Sequence, residues 1–359
     1  MRMALPSRDR LLGLVCLASL ASAAAATAIA CGGAAPTQFG AGGDGGSGGN
    51  GSGSGPTTGT GTGTGNPDGG LLGNVGNEEG GATSGCSQAA QLVYVLSADE
   101  ELYSFDPPNK VFTKIGTLAC NAPGLQANSM AVSRDGTAWV NYFSEDGTTG
   151  SIFKVSTTDA SCQSTNVTLQ QGWTQVGMGF SSDASGSTSE TLFVAATGNG
   201  GGITLPPIPG FDASVLGGLG GSDGLGMLNL TTQALSPIGA FSSPLTGQSA
   251  ELTGTGDGRL FGFFTTTPIQ IAQIDKTSGG TSNVVPLSTV EVPSDWAFSF
   301  WGGDFYLYTA PAAPASRTTN VTHYSPSTQA VDTSYMTNIG FRIVGAGVST
   351  CAPTVAPPK

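Results

Sequence analysis

Apolar residues along this chain fall into short alternating runs, and one run occurs five times. Leu102-Tyr-Ser-Phe105-Asp106 is matched by Ile152-Phe-Lys-Val155-Ser156, Met227-Leu-Asn-Leu230-Thr231, Ile271-Ala-Gln-Ile274-Asp275 and Val321-Thr-His-Tyr324-Ser325. Each copy sets two apolar residues three apart, follows the second with Asp, Ser or Thr, and runs into a polar turn. The second apolar positions are separated by 50, 75, 44 and 50 residues. A Gly/Pro-rich stretch from about Gly198 to Gly224 accounts for the long interval. Ahead of four copies lies a second unit with a Gly/Asp turn, at Met130–Val140, Gly179–Ala195, Glu251–Phe264 and Ala297–Thr309. Alternation on either side of such turns predicts antiparallel hairpins.

The first copy has only half of that hairpin, Leu92–Leu96, with glycine-rich chain before it. The missing strand is at the other end: Phe341–Val348 reads as a first strand with no hairpin partner after it. Five units of about four strands each, at a period of 45 to 50 residues, predict an all-β, five-bladed β-propeller over residues 86–352, followed by a tail, 353–359. A C-terminal strand completing the first blade would close the ring and remove its open edges. A six-bladed ring is the alternative, should the long interval hide a further unit; an open solenoid or sandwich is the other competing architecture.

The hairpin Val132-Ser-Arg-Asp-Gly-Thr-Ala-Trp-Val140 and the strand Leu102-Tyr-Ser-Phe-Asp-Pro107 resemble blades of bacterial NHL, gluconolactonase-like and YVTN-type propellers. The resemblance spans about Cys86 to Cys351. It implies strands arranged radially, the innermost lining a central channel where gluconolactonase-like members hold a divalent ion with carboxylates and an Asn. In this sequence the innermost strands should begin near Asn128, Gln175, Gln248, Asp295 and Phe341, which makes Asn128, Gln175, Gln248, Glu251, Asp295 and Arg342 the candidate channel contacts. Ala131, Gly179 and Ser299 occupy the positions matched to Glu251. One inward acid among small residues is a poor cage for a hard cation, which takes several oxygen ligands. The expectation is therefore no metal, no cofactor and no catalytic residue. A secreted hydrolase or lactonase with a channel metal is the competing reading.

The N-terminus reads as an address. Arg2, Arg8 and Arg10 precede the apolar stretch Leu11–Ala21, a run suited to a cleaved signal over residues 1–30. Ala28-Ile-Ala-Cys31-Gly32 resembles a bacterial lipobox, in which Cys31 is lipidated and becomes the new N-terminus; ordinary secretion with cleavage near Ala21-Ser-Ala23 is the rival. Residues 31–85 are dominated by Gly, Ser and Thr, including the Thr-Gly alternation from Thr58 to Gly65. So little apolar content cannot offset the entropy of ordering, which predicts a disordered tether. Gly32 after the cysteine fits onward transport to an outer membrane.

Charge narrows the partners. The formal charge is −12, with 12 Lys and Arg against 24 Asp and Glu. Such a surface repels nucleic acid. Of six cysteines, Cys16 would leave with the signal and Cys31 would carry lipid. Cys86, Cys120, Cys162 and Cys351 then form two disulfides in an exported chain, with three possible connectivities. Cys86–Cys351 would clamp the ends of the folded region, and Cys120–Cys162 would join neighbouring repeats. His323, the single histidine, falls on the repeat position taken elsewhere by Ser104, Lys154, Asn229 and Gln273, which predicts a solvated strand site. Asn166, Asn229 and Asn320 open Asn-x-Thr sequons, expected by chance in a Thr-rich chain. The functional expectation is a lipid-anchored, non-enzymatic binding module, monomeric, with a protein or glycan partner.

Overall fold

The computed structural model describes residues 86–196, 223–314 and 316–357. The signal, Cys31, the tether and most of the Gly198–Gly224 stretch lie outside the described residues. Among the described residues, twenty strands fold into five four-stranded antiparallel sheets. Blade 2 holds β4 (Gln126–Val132), β5 (Thr137–Phe143), β6 (Gly150–Ser156) and β7 (Cys162–Ser164). Blade 3 holds β8 (Val176–Ser182), β9 (Glu190–Ala196), β10 (Leu225–Asn229) and β11 (Ala234–Gly239). Blade 4 holds β12 (Ala250–Gly254), β13 (Leu260–Phe264), β14 (Gln270–Ile274) and β15 (Thr281–Pro286). Blade 5 holds β16 (Asp295–Trp301), β17 (Asp304–Ala310), β18 (Asn320–Ser325) and β19 (Ala330–Met336).

Blade 1 is composite. Its order is β20-β1-β2-β3, with β1 at Val93–Ser97, β2 at Glu101–Asp106, β3 at Val111–Thr117 and β20 at Ile343–Val348. The C-terminal strand runs antiparallel to β1, pairing Val93 with Val348 and Leu96 with Gly345. The five-bladed ring closed from the C-terminus is thus present, and Glu101–Asp106 is the third strand of its blade.

Five apolar clusters fill the wedges between consecutive blades. The wedge between blades 5 and 1 is built from Val93, Val95 and Phe105 against Tyr306, Tyr308 and Val321, with Ile343, Ala346 and Val348 of the closing strand. Burial follows radius. The innermost strands β8 and β12 are buried at every position, while the outer strand β3 is largely exposed. Innermost strands are covered on both faces, so they read as continuous apolar or small runs instead of alternating ones.

Glycine lets these strands converge. A Cβ on Gly177 would stand 2.0 Å from Ala250 O, and one on Gly254 would stand 2.1 Å from Phe180 O. Neither position can carry a side chain without moving backbone.

The turn after each third strand has the same construction in every blade. A residue with positive φ closes it: Lys110, Ala160, Gln233, Gly279 and Gln329. Four residues earlier stands a small polar residue that caps the turn in blades 1 to 4: Asp106 accepts from Asn109 N–H, Ser156 from Thr158, Asn229 from Thr231 and Asp275 from Thr277. This corrects the alignment of the third copy. Asn229, not Thr231, is the cap, so the apolar pair is Leu225 and Leu228, both buried, while Met227 is exposed. Met227 therefore shares the repeat position of His323, in place of Asn229.

Both disulfides are present, Cys86–Cys351 with Cα atoms 5.7 Å apart and Cys120–Cys162 at 5.0 Å. Paired cysteines of this kind are characteristic of exported chains. Pro353 O accepts Gly302 N–H at 2.8 Å, so the chain beyond 352 still packs on the β16–β17 turn. Among the described residues no helix is long and apolar enough to cross a membrane.

Candidate functional site at the mouth of the channel

The innermost strands β4, β8, β12 and β16 all start on one face of the disc, here called the mouth. A cavity of about 260 Å³ opens there, lined by Gln126, Asn128, Phe143, Gln175, Asp295 and Trp296 among others. Three of the predicted channel contacts, Asn128, Gln175 and Asp295, are in its wall.

The amides are fixed by each other and by backbone. Gln175 Nε2 donates to Asn128 Oδ1 at 3.1 Å, and Asn128 Nδ2 donates to Val176 O at 3.0 Å and to Asn141 Oδ1 at 3.2 Å. Buried Asn141, on β5, anchors the set: its Oδ1 accepts Val176 N–H at 3.1 Å and its Nδ2 donates to Thr174 O at 3.1 Å. This ties the start of blade 3 to blade 2. Rotamers held in this way present donors and acceptors at set positions, with little entropy left to lose on binding.

Opposite, Arg342 binds Asp295. Its Nε donates to Asp295 Oδ2 at 2.6 Å, and Nη2 donates to the same oxygen. Nη1 donates to Arg317 O at 3.0 Å, and Nη2 is also within hydrogen-bond distance of Ser294 Oγ and Pro311 O, each at 2.9 Å. The ion pair joins β16 to the segment entering β20, so a charged pair at the mouth also orients the closing strand. Trp296 follows Asp295 on β16, and its buried indole Nε1 has no hydrogen-bond partner among the described residues.

Glu251 lies deeper and is buried. Ser129 Oγ donates to Glu251 Oε2 at 2.7 Å and accepts Met178 N–H at 3.0 Å. Blades 2, 3 and 4 therefore meet at one hydroxyl, with Glu251 reaching past Gly177, where a side chain would meet its own Cα. Its true neighbours are thus Ser129 and Gly177, two residues earlier on their strands than the sequence match of Ala131 and Gly179. Burial pushes its carboxyl up to about 8, against the smaller opposing effect of the Ser129 and Met178 hydrogen bonds. At neutral pH it is a protonated acid inside the ring.

Gln248 does not belong to the mouth wall; it is exposed in the loop before β12, its N–H bonded to Leu245 O at 3.1 Å. His323 departs from expectation in part. Though partly exposed, it also bonds Asp304 Oδ2 through Nε2 at 2.8 Å and packs between the rings of Tyr306 and Tyr335, with centroids 5.2 and 5.1 Å away. Gln126, Asn141 and Trp296 escaped the sequence reading. Gln126 carried a usable signal, two residues before Asn128 on the same strand, whereas Asn141 is on a second strand and meets Asn128 only after pairing.

At the opposite end of the channel the polar groups bond to one another. Arg134, in the β4–β5 turn, is buried; Nη1 donates to Thr350 Oγ1 at 3.0 Å and Nη2 to Cys86 Sγ at 3.3 Å. Thr350 Oγ1 donates to Glu190 Oε2 at 2.8 Å, and Glu190 Oε1 accepts Arg134 N–H at 2.7 Å. Burial raises Glu190 above the usual carboxylate range.

No family model matches the chain, and no curated protein sequence matches it. Among solved structures it is similar to regucalcin, a calcium-binding protein from Agrobacterium tumefaciens, at 13% identity and TM-score 0.37, over 64% of this chain and 68% of that one. It is similar to a luciferin-regenerating enzyme at 12% and 0.38, over 75% and 94% of the two chains. It is also similar to an auxiliary nutrient binding protein from Bacteroides thetaiotaomicron at 8% and 0.38, over 67% of this chain and 53%, about half, of that protein. Function has to be read from this chain's own side chains.

Proposed function

We propose that the protein is an exported, non-enzymatic recognition module, held at the cell envelope by a lipid on Cys31, that binds a protein or glycan partner at the mouth of the channel. One observation carries the reading: the mouth is a cavity walled by amides, an indole and an arginine-paired carboxylate, groups that recognise polar ligands through hydrogen bonds. The acids near the axis are committed. Asp295 is neutralised by Arg342, and Glu251 is buried under Ser129 as a neutral carboxyl. Neither is arranged as a free general base.

A volume of about 260 Å³ suits one sugar ring or one or two peptide side chains rather than a large cofactor. Binding to a glycan array and to envelope proteins, measured with residues 85–359, tests the proposal. Replacing Asn128 and Gln175 together by Ala should weaken binding at least about tenfold, since each unpaired buried partner costs on the order of 1–3 kcal/mol. Unchanged binding by that variant would remove the mouth as the site, and turnover of an ester or lactone by the wild type would favour the hydrolase reading. Mass spectrometry of the mature N-terminus tests the anchor: the expected species begins at diacylated Cys31, and an unmodified chain beginning near Ala24 would exclude it.

A further inference from the structure

The two disulfides sit in different electrostatic surroundings. All four cysteines are partly exposed. No cationic side chain donates a hydrogen bond to Cys120 or Cys162 among the described residues, whereas the Arg134 guanidinium donates to Cys86 Sγ at 3.3 Å. Arg134 is itself buried, and no carboxylate within the described residues forms an ion pair with it. The acids that face it are otherwise engaged. Glu190 takes the Thr350 hydroxyl and the Arg134 backbone N–H, and Asp135 takes Ser133 Oγ and Thr137 N–H. Glu190 attracts the guanidinium at longer range but makes no direct ion pair with it, so the buried cation still favours a thiolate on the sulfur it touches, and in exchange reactions the sulfur that makes the more stable thiolate is the better leaving group.

We propose that Cys86–Cys351 is a thiol–disulfide exchange site, opened by an external dithiol of the oxidoreductase class that attacks Cys351 while Cys86 departs as a thiolate beneath Arg134. The attacking thiolate forms a bond to Cys351 Sγ as the Cys86–Cys351 bond breaks, and the electron pair goes to Cys86 Sγ. The dithiol's second thiol, having lost its proton to solvent, then displaces Cys351, which takes up a proton. The dithiol ends as a disulfide, oxidised by two electrons, and the cysteine pair ends reduced by two. Cys351 follows β20 by three residues, so the bond that this exchange opens is the covalent tie on the strand that closes the ring.

Reduced glutathione is the probe. Full-length protein is exposed to it at pH 6, quenched with acid, alkylated and mapped by mass spectrometry. The expected product carries glutathione on Cys351 with Cys86 as the alkylated thiol, in about tenfold excess over the reverse arrangement. Arg134→Met should slow opening about tenfold and abolish the preference, Arg134→Lys should retain part of both, and Cys120–Cys162 should react at the same rate in all three proteins. An even partition in the wild type, or glutathione chiefly on Cys86, would overturn the proposal. So would equal opening rates in wild type and Arg134→Met. Should Arg134→Met fail to fold by its far-UV spectrum, the wild-type partition decides alone.

Discussion

The two ends of the channel are built from the same strands and do opposite things with their polar groups. At the mouth, Asn128, Gln175 and Trp296 line an open cavity, and the buried Trp296 Nε1 has no hydrogen-bond partner among the described residues. At the far end, Arg134, Glu190 and Thr350 are bonded to one another and to the Cys86–Cys351 clasp. The difference follows from where the chain ends lie. A ring closed by its C-terminus brings both termini of the folded region to one face, and joining them uses that face's donors and acceptors. The mouth carries no chain end: Arg342–Asp295 steadies the closing strand there and Asn128 and Gln175 bond each other, yet these side chains still face the open cavity, where a ligand can reach them. Stability should therefore respond to changes at the closing end, and recognition to changes at the mouth.

The largest expected effect comes from removing the closing strand. Truncation before Ile343 exposes β1 as an edge and strips Ile343, Ala346 and Val348 from the wedge between blades 5 and 1. Loss of several buried aliphatic side chains, at about 1.5–3 kcal/mol each, matches the whole stability of an ordinary domain. Cooperative thermal unfolding should disappear; a truncated protein that melts like the full chain would refute closure.

Much of this ring was legible in the sequence, because blades announce themselves through period-two runs between turn residues. The half-hairpin at Leu92–Leu96 and the orphan strand at Phe341–Val348 were complementary before any pairing was seen. The slip in blade 3 has a local cause: Met227, Leu228 and Leu230 offer two apolar registers, and the cap at Asn229 with positive φ at Gln233 selects one. The mouth was half legible. Asn128, Gln175 and Asp295 could be placed because strand starts share a face, whereas the salt bridge of Asp295 to Arg342 spans 47 residues and forms only through ring closure. Arg134, Glu190 and Thr350 were invisible for the same reason, and Gln248 was misplaced because a loop precedes its strand.

Next in size is the contrast between the disulfides. Cys86–Cys351 spans 265 residues and Cys120–Cys162 spans 42. Loop-closure entropy gives about 5–6 kcal/mol for the first and about 4 kcal/mol for the second. Cys351→Ser should therefore lower the stability measured by denaturant titration by more than Cys162→Ser does. The reverse order would mean that the closing end is held mainly by its hydrogen bonds.

Between the two ends sits Glu251, and its contribution depends on pH. Its carboxyl is raised from 4.5 to about 8 in the folded ring, so the folded protein keeps a proton that the unfolded chain releases. Stability is then full below about pH 4.5 and falls as pH rises towards 8, by up to about 1.4 kcal/mol per pH unit. Glu251→Gln should flatten this decline, leaving the variant more stable than wild type at pH 8 by a few kcal/mol. Depressed carboxyls such as Asp275, at about 2, act in the opposite sense at lower pH and are common to both proteins. Parallel pH profiles would show that Glu251 is not the neutral buried acid described.

The smallest effect separates the ends most cleanly. Gln329 closes a turn on the far face at φ 57°, and its side chain is exposed. A left-handed conformation costs a residue with a Cβ about 1–2 kcal/mol, which glycine avoids, although glycine also gives up more freedom on folding. The equivalent residue in blade 4 is already Gly279. Gln329→Gly should therefore raise stability by about 0.5–1 kcal/mol, read as a rise in melting temperature of about 1–3 °C. Because the turn lies on the face away from the mouth, ligand affinity should stay within twofold of wild type. A variant that gains stability and loses binding would couple the two ends and break the division of labour between them.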